Sequence, residues 1–171
     1  DLKLPVSDYS ISNIYENPIA GSSVSIYCSN KFKQIGSAYI ASVEYNENQN
    51  KFINGELKEI DKDMTDNSLD YNRPILAIRV TNIKTNMNYV LINVWGPHYK
   101  NSYKENWDEQ ESRFKDHIIG ILNELYNKND IVIMSGDFNE YYKRRMKGSP
   151  QIKLTLSDNT DVTLYINNNN T

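Results

Sequence analysis

The sequence predicts an α/β domain, on three observations. Two apolar segments, "PILAIRV" (Pro74 to Val80) and "YVLINVWG" (Tyr89 to Gly96), are separated by a short turn-forming run. One segment, Trp107 to Tyr126, carries a strong helical pattern. A third apolar run, "IVIMSGDF", comes almost directly after that helix, so strand, helix and strand are joined as in a crossover connection.

Taken from the N-terminus, Asp1 to Ala20 is polar, contains Pro5 and Pro18, and reads as loop with one short element. "SSVSIYCS" (Ser22 to Ser29) alternates small polar residues with Val24, Ile26 and Cys28, the period of a half-buried strand. "SAYIASVEY" (Ser37 to Tyr45) is rich in β-forming residues and predicts a second strand. From Asn46 to Asp70 the pattern decays into Asn, Lys and Asp, with one short strand around Asn54-Gly55. The strands at Pro74–Val80 and Tyr89–Gly96 flank "TNIKTNMN" and predict a hairpin.

In the helical segment, Phe114, Ile118, Ile121, Leu122 and Leu125 recur three and four residues apart and define one apolar face. Asn106 or Asp108 can cap it, and Asp108, Glu109 and Glu111 complement its positive N-terminal end. "NKND" terminates it. After the "IVIM" run, read as a buried strand, "IKLTLSDNTDVTLYI" (Ile152 to Ile166) places two alternating runs around "SDNTD" and predicts a second hairpin.

The 171 residues fit one domain with a real core. Nineteen basic against twenty-two acidic residues give a net charge of −3, without the basic footprint of a dedicated nucleic-acid binder. No stretch of eighteen apolar residues predicts a membrane span, and no signal peptide is visible. A single cysteine, Cys28, cannot build a disulfide framework, which favours an intracellular setting, cytoplasmic or nuclear. The abundance of Asn, Ile, Lys and Tyr reflects coding bias, not a binding surface.

Chemistry concentrates where apolar strands end. In "SGDFNE", alternation along a strand points Asp137 and Asn139 the same way and Phe138 back toward the core. Gly136 leaves room for a ligand or another backbone. A carboxylate can take a proton from water or bind a hard cation, and a neighbouring amide can donate to an anionic oxygen. The combination suits phosphoryl chemistry; the bland alternative is a strand-end Asx turn. In "NVWGPH", Pro97 fixes a turn and His98 emerges beyond it, with a solvated loop histidine as the alternative. His117 lies on the helix and reads as structural. "YYKRRMK" (Tyr141 to Lys147) is either a solvated loop or a phosphate contact.

The order "AGSSVSIYCSNKF", "RPILAIRV", "YVLINVWGPH", a helix carrying Arg113, and "IVIMSGDFNE" resembles the endonuclease/exonuclease/phosphatase (DNase I-like) superfamily, over about Gly21 to Glu140. The resemblance implies a four-layer α/β sandwich: two facing sheets flanked by helices. It implies phosphoester hydrolysis with Mg2+ (or Mn2+), most simply by a nuclease acting on nucleic acid. Asp137 would orient or deprotonate the attacking water and serve as a metal ligand. Asn139 would position the phosphate, and His98 would take a phosphate-facing role. Trp95, Arg113, Lys143 and Arg144 are placed with the substrate contacts. Trp95 departs from the histidine or tyrosine of many members, because indole has one N–H donor and no acid–base function.

By the same resemblance, the family's metal-binding glutamate would precede Asp1 and its closing acid–histidine pair would come after Thr171. The expected unit is therefore a single domain over residues 1–171 that lacks its N- and C-terminal catalytic segments and needs them to complete the site. Two other readings stay open: a homologue that binds a partner or nucleic acid without catalysis, and a phosphatase or phospholipase acting on inositol phosphates or phospholipids.

Overall fold

The computed structural model describes residues 9–17, 22–46, 51–54, 57–60, 72–96, 107–138 and 151–165. The described residues form a mixed α/β fold dominated by sheet. In chain order they are β1 (Tyr9–Asn17), β2 (Ser22–Ser29), β3 (Phe32–Asn46), β4 (Lys51–Asn54), β5 (Lys58–Ile60), β6 (Asn72–Asn82), β7 (Asn88–Trp95), α1 (Trp107–Leu125), β8 (Ile131–Asp137), β9 (Gln151–Thr155) and β10 (Asp161–Tyr165). Strands β1 and β2 pair as a two-stranded antiparallel sheet. The other eight form the main sheet, in the order β4-β3-β6-β7-β8-β10-β9, with β5 also pairing β3.

The predicted hairpins and the crossover are all present. β6 and β7 are antiparallel, as are β9 and β10. β7 and β8 are parallel in continuous register from Tyr89↔Ile131 to Trp95↔Asp137, with α1 as the connection between them. The main sheet is thus antiparallel on its β3–β6–β7 side and parallel through β7, β8 and β10.

Helix α1 forms because its apolar residues fall on one face, and all five predicted positions are buried. They pack with Ala41, Ile75, Ala77, Val90, Ile92, Val94 and Met134, and with Ile152, Leu154, Val162 and Leu164 from the far hairpin. That face of the main sheet is covered from β3 to β9. Arg79 on β6 donates from Nε to Asp130 at 2.7 Å, tying the strand to the turn that precedes β8.

The opposite face carries a second cluster. Val24, Ile26 and Cys28 of β2 pack on Ala38, Ile40, Ile60, Leu76, Ile78 and Val80. The two-stranded sheet therefore lies over β3, β6 and β7. Burial pushes the Cys28 thiol pKa above its ordinary value.

Several expectations change. The opening twenty residues, read as loop with one short element, contain the nine-residue strand β1. Its isoleucines, Ile11 and Ile14, do not keep a period of two, and pairing with β2 is what defines it. The single strand expected near Asn54-Gly55 is replaced by two, β4 and β5, both on β3. Strand β3 starts five residues earlier than its β-rich core suggests. The run "IVIM", read as a buried strand, is covered on one side only. Ile131 is 38% exposed and Ile133 46% exposed, while Met134 is buried. Among the described residues there are three layers: helix, main sheet and two-stranded sheet. No described helix is long and apolar enough to cross a membrane.

Candidate functional site

The parallel pair β7–β8 builds the site. Val90, Ile92 and Val94 of β7 and Met134 of β8 face α1, so Leu91, Asn93 and Trp95, with Ile133, Ser135 and Asp137, face the other way. Phe138 is half-buried and packs against the helix-side core. Asp137 thus emerges at the carboxyl end of a parallel strand, exposed, on the face opposite the helix, beside its register partner Trp95. Ligand sites of open α/β sheets lie at such strand ends, where crossover connections leave a crevice.

Two glycines make this end possible. Gly136 has a φ of 126°, in the region that side chains rarely adopt, and a Cβ there would fall on the carbonyl oxygen of Val94. The space anticipated at Gly136 is therefore used by a neighbouring backbone. Gly96 donates its N–H to the Asp137 carbonyl oxygen at 2.6 Å, continuing the ladder past the last paired residues. A Cβ at Gly96 would stand 2.8 Å from the carbonyl oxygen of Phe138. The backbone of β8 is thereby held against β7 on both sides of Asp137, which fixes the position of its Cα at the strand end.

Asn93, two residues before Trp95, donates from Nδ2 to the carbonyl oxygen of Ser25 on β2 at 2.8 Å. It ties the two-stranded sheet to the strand that carries the site. An amide between Ile92 and Val94, inside the apolar run from Val90 to Trp95, is the sequence signal for this role. Sequence reasoning missed it, as it missed Gly96.

Of the other residues singled out from sequence, Trp95 is half-buried next to Asp137, and the two are brought together. Arg113 sits on α1, on the other side of the main sheet from the Asp137 face, and the fold does not bring it to that face. Asn139, His98, Lys143 and Arg144 lie outside the described residues. His117 is buried on α1, and its Nε2 has no hydrogen-bond partner. Burial, with the Arg113 charge second, lowers its pKa from 6.5 to about 4.

Among the described residues no three His, Cys, Asp or Glu side chains come together as a metal-binding group. Asp137 by itself offers a hard oxygen donor, the ligand type magnesium prefers. No protein-family model, curated protein or solved structure matches the chain.

Proposed function

We propose that the chain carries part of the catalytic face of a metal-dependent phosphoester hydrolase, nuclease-like in its choice of a phosphodiester. The observation that supports this most is the placement of Asp137: an exposed carboxylate at the carboxyl end of β8, beside Trp95. The motif resemblance of "GDFN" points to the same chemistry.

In this reading the Asp137 carboxylate accepts the proton of the water that attacks phosphorus, and a positioned base contributes about a hundredfold to ten-thousandfold in rate. The close β7–β8 backbone approach at Gly96 and Gly136 fixes the main chain that carries that base. Asn139, two residues on, donates to a phosphate oxygen. Asp137 would hold the magnesium ion as one oxygen ligand. When bound, the ion neutralises charge that develops on the phosphate oxygens. Trp95 offers a flat apolar surface next to the carboxylate, suited to a base or sugar of the substrate.

The test is hydrolysis of DNA, RNA and a generic phosphodiester by the full-length polypeptide, with magnesium and with excess chelator. Turnover is expected only with the cation. Asp137→Asn is expected to lower the rate about a hundredfold or more, with an unchanged melting curve. Phe138→Ala is expected to act on stability instead. It should cost less than the roughly 3–5 kcal/mol of a fully buried ring, because Phe138 is half-buried. Hydrolysis undiminished by chelator, or a fully active Asp137→Asn, would sink the proposal.

A second reading has its own support. Trp95 holds the position beside Asp137 and has no acid–base function, which suits a module that binds nucleic acid without cleaving it. That reading expects binding without turnover, weakened by Trp95→Ala and indifferent to Asp137→Asn.

A further inference from the structure

Two hairpin turns meet at the end of the sheet remote from Asp137. One joins β2 to β3 through Asn30 and Lys31, and the other joins β6 to β7 over Ile83 to Met87. The Ile83 N–H donates to the Lys31 carbonyl oxygen at 2.9 Å and ties the two together. At this doubled tip Ile83 is 63% exposed and Met87 45% exposed. Ile83 is the most exposed large apolar side chain among the described residues.

The backbone beneath these side chains is already satisfied. The Asn82 N–H donates to the Met87 carbonyl oxygen and the Asn86 N–H to the Asn82 carbonyl oxygen, both at 2.8 Å. The N–H groups of Lys84 and Thr85 donate to the Asn82 side-chain oxygen at 3.0 and 3.2 Å. With Ile83, every N–H from Asn82 to Asn86 is bonded inside the chain. The turn is therefore ordered without packing its apolar side chains, and its main-chain donors lose little on leaving water. Its charge is of one sign. Residues 29–33 and 81–88 contain Lys31, Lys33 and Lys84 and no acid, in a chain of net charge −3. In the turn before β8, Lys128 stands at the same end of the sheet, and Asp130 there is paired with Arg79 at 2.7 Å. Asp158 and Asp161 belong to the β9–β10 hairpin. It begins two strands beyond β7, roughly 10 Å away, about one Debye length at physiological salt.

We propose that these two turns form a docking tip for an anionic lipid surface. Ile83 and Met87 enter the boundary between headgroups and acyl chains, and Lys31, Lys33 and Lys84 meet the negative headgroups. A lysine near such a surface contributes about fivefold in binding, and apolar side chains add in proportion to the area they bury. A protein partner is the poorer occupant, because a projecting turn buries its side chains only in a matching pocket, whereas lipid closes around it. Nucleic acid is also the poorer occupant. The N–H groups of the turn are already bonded and cannot hold phosphate, and a phosphate backbone gives two exposed apolar side chains nothing to rest on. Strand β7 runs from Asn88 at this tip to Trp95 beside Asp137, a rise of about 23 Å. A docked molecule therefore turns its Asp137 end toward water, open to dissolved substrate and out of reach of headgroups in the same bilayer. Docking at this tip does not depend on the proposed hydrolase activity.

The probes are vesicles of phosphatidylcholine alone and of phosphatidylcholine with about 30% phosphatidylserine. Binding of the full-length polypeptide is measured by cosedimentation at low and high salt. It is expected to be at least tenfold tighter on the anionic vesicles and to weaken as salt rises. The double variant Ile83→Ser with Met87→Ser, and separately Lys31→Glu with Lys84→Glu, are each expected to weaken it tenfold or more with unchanged melting curves. Ile83→Trp is expected to add fluorescence that brominated acyl chains quench, beyond any quenching in the parent. Four outcomes overturn the proposal: no binding to anionic vesicles; parental vesicle binding by either double variant; an Ile83→Trp signal that brominated lipid leaves unchanged; or oligonucleotide binding abolished by the charge reversal while vesicle binding survives it, which would assign the tip to nucleic acid.

Discussion

The two faces of the main sheet were built under different demands. On the α1 side, every strand from β3 to β9 contributes to one apolar cluster, and Ile118, Ile121, Leu122 and Leu164 have no measurable exposure. On the other side, among the described residues, packing stops over β7, and along β8 and the end of β7 lies a strip with Ser135, Asp137, Trp95 and two exposed isoleucines. The closed face supplies the stability. The open face keeps the groups that can meet another molecule. Strand β8 belongs to both, and its alternation separates Met134 and Phe138 from Ile133 and Asp137 by one residue each.

The largest stability effect is expected where the contrast is strongest. Ile118→Ala empties a site at the centre of the closed face, where α1 meets the sheet. The expected loss is about 2–5 kcal/mol, the range for removing a fully buried branched side chain. Urea unfolding of the variant and parent measures it. A loss below about 1 kcal/mol would mean that the helix is not seated on the sheet.

The next effect depends on pH and also belongs to the helix side. His117 is buried with its Nε2 unpartnered, and its pKa falls from 6.5 to about 4. The fold therefore accommodates the neutral ring, while the unfolded chain protonates readily. The stabilising contribution is fully present above pH 6.5. It is lost as the pH falls toward about 4, a total of about 3 kcal/mol. Below about 4 this histidine adds no further slope. His117→Gln is expected to flatten the dependence between those limits. An equally steep fall in the variant would move the cause to other groups.

The closed face was legible in the sequence because its signals are local. The spacing of Phe114, Ile118, Ile121, Leu122 and Leu125 is helical on its own, and the alternation in "IKLTL" and "DVTLY" is a strand pattern on its own. The direction of Phe138 was legible for the same reason: alternation points it back toward the core, where the structure packs it, which leaves Asp137 for the other side. The open face was not legible, because an apolar run such as "IVIM" reads identically whether one side or both are covered. Which side is covered depends on where β2 lies, and that is set by packing between distant segments. The use of Gly136 was half legible. The glycine announces a close approach, but only the register of β8 on β7 identifies the Val94 carbonyl as what approaches.

The smallest effect is the most informative about the open face. Ile131→Ala and Ile133→Ala delete the same branched side chain as Ile118→Ala, on a strand of the same sheet. If the strip is open, much of each side chain already meets water, and removing it leaves no closed cavity. The expected change is within about 0.5 kcal/mol for each, as for surface substitutions remote from special features. Thermal or urea unfolding of both variants beside Ile118→Ala makes the comparison internal, with chemistry held constant and only the face changed. A loss above about 2 kcal/mol at Ile133 would show that the strip is covered in the polypeptide in solution. The open face would then be part of the core, and Asp137 would stand at the mouth of a closed cleft instead of on an exposed ledge.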